Sequence, residues 1–405
     1  MQHQIDSDRL GPAGAGMARA VSTCVHCGFC LAACPTYQVL GEEMDSPRGR
    51  IVLMKQALEQ ELEMADALPY VDRCLGCLAC ETACPSGVRY RDLVVPFRAR
   101  GEQHARPVAQ RLWRQALLST LESPARFRIA ATLGNIARNV SRMLPGEMQV
   151  MLSLLPRRLP PAKALPELSP ALGERRARVA LLAGCVQPAL RPSINEAALR
   201  VLCANGVEVI VPRGQGCCGA LAQHSGFDRR AEELAARNAR VFPTDIDAIV
   251  TTAAGCGSAM KEGTYRAPVR DISEFLDELG LRTPATLDAP TVVAYHDACH
   301  LSHGQGIRAA PRRLLQGIAN LTLRELADGE MCCGSAGLYN LEQPETATEL
   351  GRRKADAIRA TGAGMVATGN IGCITQIETH LPDVPVRHVI ELLDPAYSAH
   401  ESLRS

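Results

Sequence analysis

Aromatic side chains make up only 3% of the 405 residues, with a single tryptophan. The 46% of the chain that is hydrophobic must therefore build its core from Ala, Leu, Val and Ile. An excess of one charge sign is also missing. The formal net charge is +1, which gives no overall attraction for nucleic acid, and no basic-plus-aromatic recognition pattern is present. No run of 18 apolar residues occurs, so no transmembrane helix is expected. Residues 1–16 are polar and glycine-rich and lack the apolar stretch of a secretory signal. The glycines of 214–219 are not followed by Lys-Ser or Lys-Thr, so they make no phosphate loop. No dinucleotide fingerprint appears either, and nicotinamide or flavin binding by this chain is not expected.

What the sequence has in abundance is cysteine, 17 in all. Without a secretory signal a disulfide framework is not expected, and metal ligands or catalytic thiols are. Eight cysteines lie between Cys24 and Cys84, and eight more form two sets of four in the C-terminal half. Cys203 is left over in the helical apolar run 197–203 and reads as plain core.

The N-terminal eight fall into two copies of C-x2-C-x2-C-x3-C-P, at Cys24, Cys27, Cys30, Cys34 and at Cys74, Cys77, Cys80, Cys84. This is the bacterial signature for two [4Fe–4S] clusters, in which the fourth cysteine of each run ligates the other cluster. The expected ligand sets are thus Cys24, Cys27, Cys30 and Cys84 for cluster 1, and Cys74, Cys77, Cys80 and Cys34 for cluster 2. Zinc is the alternative, but zinc ribbons use isolated C-x2-C pairs. Between the runs, residues 47–62 show helical spacing of Ile51, Met54, Lys55 and Leu58 after Pro47, so the runs are joined by helix rather than by hairpins. Two such clusters carry single electrons, and a flavin or another two-electron partner is implied.

Residues 98–160 carry eleven arginines (98, 100, 106, 111, 114, 126, 128, 138, 142, 157 and 158) against Glu102, Glu122 and Glu147, a local charge of +8. Leu112, Trp113, Ala116, Leu117 and Leu121 are expected on one helical face. The segment is a candidate surface for anionic lipid or an acidic partner subunit. Prolines at 156, 160, 161, 166 and 170 mark a linker.

From 177 onward the chain repeats itself. VALLAGCVQP (179–188) answers VVAYHDACHL (292–301), Cys217-Cys218-Gly219 answers Cys332-Cys333-Gly334, AIVTTAAGC (248–256) answers MVATGNIGC (365–373), and PVRDISEFLD (268–277) answers PVRHVIELLD (385–394). In each copy short β-branched runs alternate with helical patterns, which predicts parallel sheets with right-handed crossovers. Strands are expected at 179–183, 207–211 and 248–252, and helices at 193–204 and 228–241. Cys185, Cys256, Cys299 and Cys373 then follow strands, where sites gather in such sheets. Cys185, Cys217, Cys218 and Cys256, and likewise Cys299, Cys332, Cys333 and Cys373, could hold iron–sulfur centres, zinc or nothing. The glycine after each Cys-Cys would let backbone approach a cluster. His224, His296 and His300 either line a redox pocket or are satisfied core histidines.

The tandem Cys-Cys-Gly repeats resemble the CCG domains of heterodisulfide reductase. They also resemble those of the iron–sulfur subunits of glycolate, lactate and anaerobic glycerol-3-phosphate dehydrogenases. The stretches CVHCGFCLAACPTYQVLGEEMDSPRGRI (24–51), RCLGCLACETACPSGVRY (73–90), CCGSAGLYN and TGNIGC are most similar to the glycolate oxidase iron–sulfur subunit family. That resemblance implies a multidomain α plus α/β chain in four parts. These are a helical two-[4Fe–4S] ferredoxin domain (17–97), an Arg-rich helical linker (98–176) and two tandem α/β CCG repeats (177–288 and 289–400). It implies an electron-transfer subunit working with two flavoprotein subunits that oxidise glycolate to glyoxylate. FAD would sit on those partners, a membrane quinone would be the acceptor, and the chain would lie in the cytoplasm against the inner membrane without a substrate site of its own. Alternatives are a lactate or glycerol-3-phosphate dehydrogenase subunit, or a thiol–disulfide reductase working at the CCG centres. One departure counts against the last: Ala253 and Asn370 stand where the heterodisulfide reductase form has a further cysteine in each repeat.

Overall fold

The computed structural model describes residues 1–138, 146–156, 158–161, 164–282 and 285–394. Arg142, Arg157 and the last six residues of the 289–400 repeat lie outside them. The N-terminal part is helical. Pro47–Leu58 starts with proline in its first turn, and the Ser46 side chain accepts from the Gly49 N–H, the capping arrangement that the sequence favours there. This helix buries Ile51, Met54 and Leu58 against Met17 and Val21 of Gly14–Thr23 and against Leu93 and Phe97 of Arg91–His104. The last of these helices runs unbroken across residue 97.

Beyond it, Val108–Leu121, Pro124–Ala137 and Gly146–Ser153 are helices. The face expected from Leu112 and Trp113 is turned differently, since these two are 60% and 51% exposed. Arg114, Leu117 and Leu118 are the buried residues. The helix is rotated because Arg114 reaches Glu342 at 3.0 Å and Glu102 at 3.4 Å. Arg98 and Arg106 also point inward, Arg98 donating to the Val71 carbonyl at 2.9 Å and Arg106 to Asp72 at 2.8 Å. Three arginines of the basic segment therefore bind the parts of the chain to one another rather than facing solvent.

The repeats form two sheets. Strands β1 (Leu168–Ser169), β2 (Ala177–Leu182), β3 (Val207–Ile210), β4 (Ala248–Thr251) and β5 (Val269–Asp271) assemble in the order β1-β3-β2-β4-β5. Strands β6 (Thr286–His296), β7 (Ala319–Glu325), β8 (Met365–Thr368) and β9 (Val386–His388) follow as β7-β6-β8-β9. All pairings are parallel except β1 with β3. The order β3-β2-β4-β5 is thus repeated as β7-β6-β8-β9, as the internal sequence repeat requires. Helices occur at Pro192–Ala204 and Asp228–Val241, as their spacing indicates. The two copies share one apolar core, in which Val179, Leu202 and Leu276 meet Val293, Ile374 and Leu393.

A histidine helps tie the copies together. At the N-terminus of the helix Val389–Leu393, the His388 Nδ1 accepts from the Ile390 N–H at 3.1 Å, and its Nε2–H donates to the Thr252 carbonyl at 2.8 Å. The equivalent position in the first copy is Asp271, which caps Ile272–Leu279. Burial holds the His388 imidazole down at about 4. The unfolded chain binds a proton there near pH 6.5, so this group's contribution is complete above that pH and is lost as pH falls toward 4. The stability gap between wild type and His388→Gln, measured by denaturant titration, should narrow over that window by about 3 kcal/mol.

Candidate functional site

Each N-terminal cysteine run bends through two left-handed residues, at His26 and Gly28 in the first and at Gly76 and Leu78 in the second. For His26 and Leu78 this conformation costs roughly 1 kcal/mol or more each. It folds the chain back so that thiols three residues apart face one point. Short helices, Phe29–Ala32 and Ala79–Thr82, then carry the third cysteine, and the fourth follows each of them.

The thiols gather around two small cavities. Cys24, Cys27, Cys30 and Cys84 line the first, which also touches Cys80. Cys34, Cys74, Cys77 and Cys80 line the second. Four soft thiolates around one small space suit an iron–sulfur cluster. Burial and the neighbouring Cys24 push the Cys30 thiol up to about 11. Burial works in the same direction at Cys74, but Arg50 and Arg98 outweigh it and hold that thiol below its ordinary value.

Arg50 was not a candidate from the sequence. It is fully buried, donating through Nε to the Tyr70 carbonyl at 2.7 Å and through Nη1 to Thr36 Oγ1 at 3.0 Å. It also pairs with Asp45 at 3.2 Å and lies 3.9 Å from Cys34 Sγ. Its one sequence signal is a charge beside Ile51 on a helix face that is otherwise apolar.

In the repeats, Cys185, Cys256, Cys299 and Cys373 all follow the carboxyl ends of β2, β4, β6 and β8. The Cys185 thiol is pushed well up, first by its hydrogen bond with Cys217 and then by burial. Cys218 in turn contacts Cys217 and Cys256; the hydrogen bond with Cys217 pulls its thiol down, but the one with Cys256, and then burial, push it well up. In the second repeat Cys299 and Cys332 approach to 3.9 Å, and the Cys333 and Cys373 thiols lie within 4.8 Å of each other and of His296. His296 is fully buried, and neither ring nitrogen has a hydrogen-bond partner. It is therefore not a satisfied core histidine, and its neutral imidazole stands at ligand distance from two thiols. Leu182 holds the matching place in the first repeat, so the two sets of four are not chemically equivalent. Asn370, at the position of the missing cysteine, donates to Cys373 Sγ at 3.5 Å.

The glycines after each Cys-Cys pair are required by the turn itself. Gly219 and Gly334 have φ of +91° and +93°, and a Cβ there would lie 2.8 Å from the carbonyl oxygens of Ala231 and Ala347. They let the chain turn after the cysteines and let the helices Asp228–Val241 and Pro344–Ala360 pack on the turns. The ferredoxin part and the second repeat meet directly. Leu75 and Cys77 pack with Cys299 and Cys332 in one apolar cluster, and the Tyr339 hydroxyl donates to the Arg73 carbonyl at 3.1 Å.

Comparison with known proteins finds two kinds of domain. Residues 20–88 match the 4Fe-4S dicluster domain, and residues 179–261 and 293–378 each match the cysteine-rich CCG domain. The glycolate oxidase iron–sulfur subunit of Escherichia coli (strain K12) is 36% identical, over 98% of this chain and 99% of its own length. A protein of Bacillus subtilis (strain 168) described as "Probable glycolate oxidase iron-sulfur subunit" is 33% identical, over 88% of each chain. One subunit of the CoM/CoB fumarate reductase of Methanothermobacter marburgensis is 38% identical, over 55% of this chain and 47% of its own.

Proposed function

The chain belongs to the family of glycolate oxidase iron–sulfur subunits, and from that premise we propose that it relays electrons from flavoprotein partners that oxidise glycolate to glyoxylate onward to a membrane quinone. The observation that carries this reading is the pair of cavities, each lined by three thiols of one cysteine run and the fourth of the other. Cys24, Cys27, Cys30 and Cys84 would hold one [4Fe–4S] cluster, and Cys34, Cys74, Cys77 and Cys80 the other. Such clusters supply one-electron transfer. The chain's own residues set the conditions. The thiols present soft ligands, Arg50 and Arg98 offset negative charge at the second site, and the apolar shell around Cys77 excludes water.

FAD would belong to two flavoprotein subunits, and glycolate would not bind here. Among the described residues no helix is long and apolar enough to cross a membrane. Attachment to the cytoplasmic face of the inner membrane would be peripheral, through the helices of the basic segment. Their exposed side chains include Val108, Leu112, Trp113 and Ile129.

The test is anaerobic. The chain is purified with its flavoprotein partners, glycolate is added, and visible absorbance and electron paramagnetic resonance are followed. Bleaching of the broad visible absorption, with a paramagnetic signal, is the expected result. Reduction by lactate or glycerol 3-phosphate but not by glycolate would reassign the donor. Protein without iron or inorganic sulfide would overturn the relay itself.

A further inference from the structure

Between the two repeats and the helices of residues 108–153 lies a cavity of about 650 Å³. That is the size of a small-molecule site, and the relay just described has no use for it. One end is lined by Cys185, Cys256, Cys299 and Cys373 with His224 and His300. The other is hydrocarbon, from Leu121, Phe127, Leu152 and Leu155.

The cavity is open at the hydrocarbon end. Leu133 and Met148 line it and are also 62% and 41% exposed. On the Pro124–Ala137 helix, Leu133 belongs to a stripe with Ile129 and Ile136, which are 63% and 64% exposed. Arg126, also exposed, continues that stripe by one turn. An apolar opening edged by a cation fits the interface of a bilayer rather than water.

The closed end abuts the electron source. The His224 and His300 rings pack edge to face with centroids 4.7 Å apart. His224 Nδ1 sits 3.2 Å from where a Cβ on Gly76 would be, and Gly76 lies between Cys74 and Cys77. Cys299, on the cavity wall, packs in the same cluster as Cys77. A ligand here would have its polar head beside the second cysteine run and its tail toward the opening.

We propose that this cavity binds a membrane quinone, with its head group at His224 and His300 and its isoprenoid tail leaving past Leu133 and Met148. The inference rests on the relay reading and gives it an end point on this chain. The two carbonyl oxygens of the quinone take up two electrons from the reduced ferredoxin domain, delivered singly, and two protons from solvent. Both C=O groups become C–OH, and no group leaves.

The test uses the full chain with decylubiquinone as probe and does not involve glycolate, so a wrong donor assignment leaves it untouched. Leu133→Trp with Met148→Trp narrows the opening at two exposed positions. Ala130→Trp, also exposed and on the same wall, is a second blocking variant. Equilibrium binding of decylubiquinone to the oxidised chain should weaken at least tenfold in both variants. The paramagnetic signal after dithionite and the rate of oxidation by ferricyanide should be unchanged. Photolabelling with an azidoquinone should mark peptides containing His224 or residues 124–155, and the label should be lost in the blocked variants. Equal decylubiquinone affinity in wild type and both variants, or labelling confined to other peptides, overturns the proposal.

Discussion

Replacing Cys34 by alanine is expected to remove the cluster of the second cysteine run and to spare that of its own. Cys34 precedes Pro35 at the end of the first run, yet its thiol lines the cavity of Cys74, Cys77 and Cys80. It is fixed there by contacts with Thr36 Oγ1 at 3.2 Å and the Asp45 carbonyl at 3.8 Å. Iron should fall from about eight to about four per chain, and the magnetic coupling between two reduced clusters should collapse to the signal of one. Cys84→Ala is the mirror experiment, because Cys84 lies with Cys24, Cys27 and Cys30. If Cys34→Ala instead abolishes the cluster of Cys24, Cys27 and Cys30, the ligands are not crossed.

A second large effect is expected from Arg50→Met. The guanidinium is sealed from solvent between the Asp45 carboxylate, the Tyr70 carbonyl and the second cysteine cavity. Asp45 would keep only Arg73, at 2.7 Å. Breaking a buried pair in this way costs about 3–5 kcal/mol, well beyond the effect of a surface ion pair. The electrostatic consequence can be measured separately. The guanidinium lies 3.9 Å from Cys34 Sγ, and at an effective dielectric of about 20 a unit positive charge so close to the site of reduction is worth a few kcal/mol, or on the order of 100 mV for one electron. The reduction potential of the second cluster should therefore become more negative, while that of the first moves little. Arg50→Lys keeps the charge and should recover most of the potential but not all of the stability, because one ammonium cannot reach three separate acceptors. An intact cluster with an unchanged potential in Arg50→Met would leave Arg50 as a packing residue only.

The two exposed positions at Leu112 and Trp113 show where sequence pattern stops being informative. Helical spacing placed both with Leu117 and Leu121, and Leu117 is indeed buried. Periodicity alone cannot choose between overlapping stripes a fraction of a turn apart. The choice fell to Arg114, whose partners Glu102 and Glu342 stand on two other helices. The basic segment has the same explanation. Its charge of +8 is legible, but whether an arginine faces lipid or a buried carboxylate depends on which carboxylate the fold brings to it.

Histidine followed a similar course. His224, His296 and His300 could be noted beside cysteines but not sorted, since imidazole packs, ligates and titrates in the same sequence settings. In three dimensions they separate. His296 stands unpartnered near Cys333 and Cys373, while His224 and His300 form a pair on the wall of the apolar cavity. No sequence pattern announces that cavity, because its lining comes from eight segments spread along the chain.

By itself the sequence determined what depends on neighbours within a few residues. That covers the two cysteine runs, whose spacing fits a cluster's geometry, and the alternation of strand and helix, which follows side-chain periodicity. It also covers the duplication that makes β3-β2-β4-β5 reappear as β7-β6-β8-β9. Only the tertiary structure decided which charges are buried, which histidines lack partners and what space the repeats enclose. Desolvation and close packing act between groups far apart in the chain, and their sign is fixed only when those groups meet.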